Sequence, residues 1–209
     1  MASPNIEQLI ADLKLAYTDE LTGLFRRGKL DTILKNQPDP ENNTYLIIDI
    51  DYFGAINNRY GHDVGDLALK AVTGLLKSCV DDLSREKSYA IPGSPADIIT
   101  DTNDIYRWGG EEFLIRLYKM PYQDATAFAE HLRKKVEEEI GYLTISIGVA
   151  QHEAHENSTA IKDFAYAFKK ADDRLYIAKR KGRNQVVADW TDPQLSFGFM
   201  TKDAAQIAA

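Results

Sequence analysis

The stretch Asp104–Leu117 limits the fold more than any other part of the chain. Two β-prone runs, Ile105–Trp108 and Glu111–Leu117, are separated by Gly109-Gly110. Paired glycines between such runs predict an antiparallel hairpin, the glycines supplying the positive φ angles that a two-residue turn demands. The apolar run Tyr45–Ile50 predicts a buried strand, and Tyr142–Ala150 and Gln185–Ala188 predict two more. Between these runs the apolar period becomes helical. Phe53–Tyr60 is a short helix broken by Gly61. Val64–Cys79 carries Leu67, Leu69, Val72, Leu75 and Leu76 on one face. Tyr122–Glu139 turns Ala125, Phe128, Ala129, Leu132 and Val136 inward. Ile161–Lys179 does the same with Phe164, Ala165, Phe168, Ala171, Leu175 and Ala178, and Gly182 ends it.

Upstream, Ile6–Tyr17 has helical spacing, Asp19–Arg27 reads as an irregular turn around Gly23, and Gly28–Asn36 reads as a further helix. Asn36–Asn43 is a polar loop with two prolines. Asp81–Asp104 has no sustained period and contains Pro92, Gly93 and Pro95, so it reads as an insertion or long surface loop. The order of elements predicts the α/β class, with a central mixed sheet, a β-hairpin turn and flanking helices. The expected division is a helical arm at 1–18, one domain at 19–188 with the insertion 81–104, and a tail at 189–209.

Composition narrows the function. A chain of 209 residues that is 44% apolar suits one domain with a sizeable core. Its net charge of −7 offers no basic stripe to a nucleic-acid backbone. A nucleotide would have to be held by local cations and metal. The single cysteine, Cys79, excludes an internal disulfide and a cysteine-based zinc site, and permits a reducing compartment. His62, His131, His152 and His155 lack zinc-ligand spacing. No apolar run is long enough to span a bilayer, and Met1–Lys14 lacks a secretory apolar core.

The acids carry the chemistry. Asp49 and Asp51 flank Ile50 at the end of the Tyr45–Ile50 strand, so alternation puts both carboxylates on one face. Taken alone they also suit a strand running out into solvent, and Glu111 and Glu112 taken alone suit a charged hairpin tip. If the hairpin lies beside that strand, the two sets converge. Such hard oxygen ligands suit Mg²⁺, which keeps waters and takes one or two carboxylates plus substrate phosphates. Paired glycines also let a nucleotide lie against the backbone.

Arg107-Trp108-Gly109-Gly110-Glu111-Glu112-Phe113 resembles the signature of the GGDEF family in its GGEEF form. Asp19-Glu20-Leu21-Thr22-Gly23-Leu24 resembles the family's opening turn. Asp49-Ile50-Asp51-Tyr52-Phe53 with Ile56-Asn57, Gly61-His62-Asp63-Val64-Gly65-Asp66, Thr144–Ala150, Ala171-Asp172, Leu175–Lys179 and Gly182-Arg183-Asn184 follow in family order. The resemblance covers Asp19 to Val187. It implies a nucleotidyl cyclase fold with a ferredoxin-like palm, and a cytoplasmic diguanylate cyclase that condenses two GTP into cyclic di-GMP and two pyrophosphates. It implies two Mg²⁺ or Mn²⁺ ions per site, a homodimer for catalysis and room for an upstream sensor module as a partner; the charge and hydropathy pattern lead to the expectation of no nucleic acid partner and no membrane segment in this chain.

The resemblance also assigns residues. Asp49, the Ile50 carbonyl, Glu111 and Glu112 would bind the metals, with Glu111 in the catalytic position; the sequence does not apportion the two glutamates. Asn57 and Asp66 match the guanine-reading positions. A carboxylate accepts from guanine N1–H and the 2-amino group, and an amide donates to O6 or N3. As residues alone, Asp66 also suits a helix N-cap and Asn57 a turn. Leu21 and Leu69 match walls of the base pocket, and each also suits an ordinary core role. Phe53, His62, Gly109 and Gly110 complete the substrate-binding set. Lys179 and Arg183 would hold the β- and γ-phosphates; favourable charge at a helix C-terminus is the plainer reading of both.

Several positions depart from the family pattern. Gly54 stands where a lysine is usual, Asn58 where an aspartate is usual, and Arg26 and Gly28 where the opening motif carries asparagine and arginine. Trp108 replaces a tyrosine. The Arg-x-x-Asp motif at which many members bind their product is absent, because Thr100 and Asn103 occupy its positions. Inhibition by product through that site is therefore not expected. Two other readings compete: a binding module that senses GTP without turnover, favoured by Gly54, and a cyclase of mixed adenine and guanine products, disfavoured by Asp66.

Overall fold

A computed structural model describes residues 15–36, 43–86, 104–153 and 158–188. The helix predicted at Ile6–Tyr17 falls outside it except for its last residues, which are helical. The loop 37–42, the bulk of the 81–104 insertion with Thr100 and Asn103, His155, and the tail 189–209 lie outside the described residues.

The elements run β1 (Phe25–Arg26), α1 (Arg27–Asn36), β2 (Thr44–Ile50), α2 (Phe53–Tyr60), α3 (His62–Glu86), β3 (Asp104–Arg107), β4 (Glu112–Leu117), α4 (Tyr122–Ile140), β5 (Ile145–Gln151), α5 (Ala160–Arg180) and β6 (Val186–Val187). They form one six-stranded mixed sheet of order β1-β3-β4-β2-β5-β6. β2 lies at its centre, antiparallel to both β4 and β5, and the two-residue strands β1 and β6 pair in parallel at the edges.

Period-two alternation decides which layer each side chain enters. Leu46, Ile48 and Ile50 of β2 join Phe113 and Ile115 of β4 in a core shared with Val72 and Leu76 of α3 and Leu132 and Val136 of α4. Tyr45 and Ile47 turn the other way, onto Leu30 of α1 and Phe164, Ala171 and Leu175 of α5. All of β2 is buried, as an unbroken apolar run predicts for a central strand. Helix α5 lies very close to β5: a Cβ on Gly148 would sit 1.9 Å from the Ala171 carbonyl oxygen.

Four expectations shift. Helix α3 begins at His62 and continues to Glu86, so the insertion starts later than Asp81. Leu67, placed on its apolar face by spacing, is exposed, and Ala68 is buried instead. Strand β5 begins at Ile145 because the chain turns after the left-handed Gly141 that caps α4. The hairpin is not closed by a two-residue turn. β3 ends at Arg107 and β4 begins at Glu112, and neither Gly109 nor Gly110 has a positive φ. Four residues share the reversal, closed by the Trp108 amide donating to the Glu112 carbonyl at 2.8 Å. What Gly109 supplies is room, since a Cβ there would lie 3.0 Å from Glu112 Oε2.

Candidate active site

The antiparallel register of β2 and β4 sets Asp49 directly opposite Glu112. Asp49 shares its face with Tyr45 and Ile47, so it looks toward α5 and meets Lys179, whose Nζ lies 2.7 Å from Asp49 Oδ2. Glu111 is the loop residue just before β4, and its carbonyl accepts from the Ile50 amide at 3.4 Å. The predicted convergence of the strand-end and hairpin acids is thus a product of the ladder.

The electrostatics invite a cation. Burial pushes the Asp49 carboxyl above its ordinary range and the Glu111 and Asp51 charges add to that, against the pull of Lys179. Burial raises the Glu112 carboxyl too, helped by Asp49 and opposed by Lys179. Among the described residues no three His, Cys, Asp or Glu side chains are grouped closely enough to enclose a metal ion unaided. The donor set still fits a hydrated hard ion. Such an ion needs one or two protein carboxylates and takes the rest of its shell from water and phosphate, and the Lys179 ammonium already shows where positive charge is stable.

Asp51 does something different. Thr144 and Ser146 hydroxyls each donate to it at 2.7 Å, and the Asn184 amide donates at 2.9 Å. Its oxygens therefore bind β5 and the turn after α5 to the end of β2.

The residues matched to guanine recognition lie on α2 and α3. Asn57 is inside α2, and Asp66 is well inside α3 and exposed, so neither the turn reading nor the N-cap reading holds. Gly65 brings the two helices together: a Cβ there would meet Asn57 Oδ1 at 1.9 Å and Phe53 at 3.2 Å. Asn57 Oδ1 is buried without a hydrogen-bond partner. Phe53 and Leu69 are buried in the larger core, Leu21 packs against it, and His62 is exposed at the start of α3.

Lys179 and Arg183 diverge. Lys179 is in the last turn of α5, whereas Arg183 follows Gly182 in the left-handed region at φ 67°. The Arg183 guanidinium lies 4.4 Å from the centre of the Tyr52 ring. Tyr52 itself has φ 57° and starts α2.

Sequence reasoning passed over the brace behind the hairpin. Arg107 Nη1 donates to both Asp19 oxygens at 2.9 and 3.1 Å, while its Nε and Nη2 donate to the Gly110 carbonyl at 3.1 and 2.8 Å. Asp19 also accepts from the Thr22 amide and hydroxyl, and Lys77 of α3 donates to the Thr22 carbonyl. The signal available was the acid opening one motif and the arginine opening another.

A family model described as "Diguanylate cyclase, GGDEF domain" matches residues 16–88 and 96–185. Diguanylate cyclase DgcM of Escherichia coli is 34% identical over 182 residues, covering 83% of this chain and 38% of that protein. The chain thus spans well under half the length of that curated relative. The structure of the coiled coil and GGDEF domain of DgcB from Caulobacter crescentus, in complex with c-di-GMP, has a TM-score of 0.67 at 23% identity, covering 88% of this chain and 91% of that one. The active GGEEF domain of a diguanylate cyclase from Vibrio cholerae has a TM-score of 0.55 at 26% identity, covering 88% and 97%.

Proposed function

The chain belongs to the GGDEF family of diguanylate cyclase domains, and from that premise we propose that it joins two GTP molecules into cyclic di-GMP with release of two pyrophosphates. The observation that carries the reading is the Asp49–Glu112 pairing, which gathers a buried and a half-buried carboxylate, both raised above their ordinary range, beside Glu111 and Lys179.

Asp66 accepts hydrogen bonds from guanine N1–H and the 2-amino group, and the Asn57 amide donates to the same ring. Adenine presents the wrong pattern to Asp66. Leu21 and Leu69 give the base an apolar wall. Lys179 and Arg183 turn to the β- and γ-phosphates and stabilise departing pyrophosphate. Gly109 and Gly110 let the nucleotide lie against the hairpin loop. Asp49, the Ile50 carbonyl, Glu111 and Glu112 would hold two Mg²⁺ or Mn²⁺ ions, which when bound neutralise charge on the α-phosphate and favour ionisation of the attacking 3′-hydroxyl. One domain serves one GTP, so two copies face each other, and proximity supplies much of the rate. Gly54 leaves the phosphate end one cation short of the family pattern.

The test is to incubate purified protein with Mg²⁺ and GTP, with and without ATP, and to identify products by mass spectrometry. Cyclic di-GMP in both mixtures is expected. Bound GTP without turnover would make the chain a sensor module, and a mixed purine product would refute the role given to Asp66.

A further inference from the structure

The other flank of the hairpin has no part in that reading. A cleft of about 350 Å³ lies there, between the opening turn, the start of α1 and the Trp108–Gly110 loop. Arg26, Arg27 and Arg107 border it, and of the described residues lining it Asp19 alone is acidic. In a chain of net charge −7 this is a local reversal of sign.

The three guanidiniums are not equally engaged. Arg107 is tied to Asp19 and to the Gly110 carbonyl. Arg27 lies 4.8 Å over the Trp108 ring, and stacking on a ring face consumes none of its N–H donors. Among the described residues Arg26 meets the Glu20 carboxylate at 3.7 Å, and with side chains 48% and 83% exposed that pair is worth little. Trp108 is a firm platform, backed by Phe168 at 4.7 Å and Phe164 at 6.0 Å. Arg26 is also one of the departures from the family pattern. It puts a cation where asparagine is usual, while Gly28, which also lines the cleft, stands where arginine is usual.

We propose that this cleft is a second anion subsite, which takes the phosphates of a nucleotide other than the one served by Asn57 and Asp66. Two guanidinium forks beside a side-chain-free loop match the oxygens of a di- or triphosphate, which arginine engages in bidentate fashion. Assigning those phosphates to a nucleotide rests on the cyclase reading; the binding of a polyphosphate anion does not. The anion has two sources, the GTP carried by a facing copy or a free phosphate compound.

Trp108 is the reporter, with the other tryptophan replaced in a Trp190→Phe background. Inorganic pyrophosphate is titrated into the full chain in EDTA while tryptophan emission is followed. A saturable change is expected, weakened at least about tenfold by Arg26→Glu and by Arg27→Gln, retained in Arg26→Lys, and unaffected by Lys179→Met on the opposite flank. No saturable change, wild-type affinity in both arginine variants, or loss in Lys179→Met would overturn the subsite. Because Arg26 is exposed, its charge reversal leaves the fold intact, which circular dichroism checks. GTP kinetics then separate the sources. A fall in kcat at unchanged KM in Arg26→Glu assigns the cleft to the facing copy's nucleotide, whereas unchanged kcat assigns it to a free anion. Absence of any cyclase product would overturn the function proposed above and leave the pyrophosphate result standing.

Discussion

Asp49 and Glu112 face each other across the β2–β4 ladder, both with carboxyls raised above their ordinary range, Asp49 by burial and the Glu111 and Asp51 charges, Glu112 by burial and the Asp49 charge. Side-chain period in a strand is two, so a slip of one residue would send one of them to the opposite face. Apolar pairs such as Ile48 with Phe113 and Leu46 with Ile115 fix that register from the core side. Hydrophobic patterning thus holds two like charges together in a place where they oppose folding unless a cation joins them.

Glu111→Ala is expected to reduce cyclic di-GMP formation by at least about 100-fold, the scale on which a preorganised electrostatic group acts. Its melting temperature should stay close to wild type, since the side chain sits in a loop. Chromatographic product assay and thermal denaturation on the same preparation check both halves.

Lys179→Met removes the partner of a buried carboxylate. In EDTA it should lower stability by about 1–2 kcal/mol, less than for a fully buried pair because Lys179 is partly exposed. Added Mg²⁺ should restore part of the loss while KM for GTP stays raised. Denaturant melts with and without the ion read the first effect, and steady-state kinetics the second.

The Asp19–Arg107 brace has its own pH signature. Burial would raise the Asp19 carboxyl, but hydrogen bonds from Thr22 and Arg107 outweigh it and hold the group below its ordinary 3.8. A carboxyl lowered in the folded state takes up protons more readily once unfolded. Its contribution is therefore complete above the ordinary aspartate range and disappears as pH falls through the lowered value. Asp19→Asn should cost about 1–2 kcal/mol at pH 7 and progressively less below that range. A stability difference that stays constant down to the acid limit would show that the charge is not what holds the hairpin.

Gly65→Ala places a methyl group where Asn57 Oδ1 now lies, 1.9 Å from the new carbon. The end of that side chain can swing aside, so the fold should survive, but the amide leaves its position. KM for GTP is expected to rise about tenfold, the worth of one hydrogen bond to a base. A KM equal to wild type would separate Asn57 from guanine recognition.

Loss of the Arg-x-x-Asp motif at Thr100 and Asn103 should leave initial rates unchanged when cyclic di-GMP is added in large excess over enzyme. Binding of labelled product that survives Glu111→Ala and is abolished by changes at Thr100–Asn103 would contradict this.

Much of this was legible in the chain because it depends on periodicity. The central strand, the inward face of α4 and the arrival of the hairpin acids at Asp49 all follow from spacing. The misreadings have tertiary causes. Gly109-Gly110 suggested a tight turn, but the loop is shaped by Arg107 clamping the Gly110 carbonyl from a side chain braced on Asp19. Asp51 looked like a twin of Asp49 until β5 and Asn184 enclosed it. Nothing local marked Phe25–Arg26 as a strand, since two residues form one only when β3 is already beside them. Lys179 and Arg183 are four apart in sequence, yet the left-handed backbone at Arg183 sends them to different neighbours.

The Asp51 clamp has a consequence for how the protein comes into being. It joins residues 93 positions apart at Thr144, and the Asn184 amide completes it from farther along the chain. Contacts of such separation form late and together, because the loop entropy they cost is recovered only when the whole sheet closes. The turn after α5 and the tip of the central strand therefore take their places in one cooperative event. A polypeptide that has not yet closed the whole sheet lacks this clamp, and with it the fixed position of the strand end that carries Asp49.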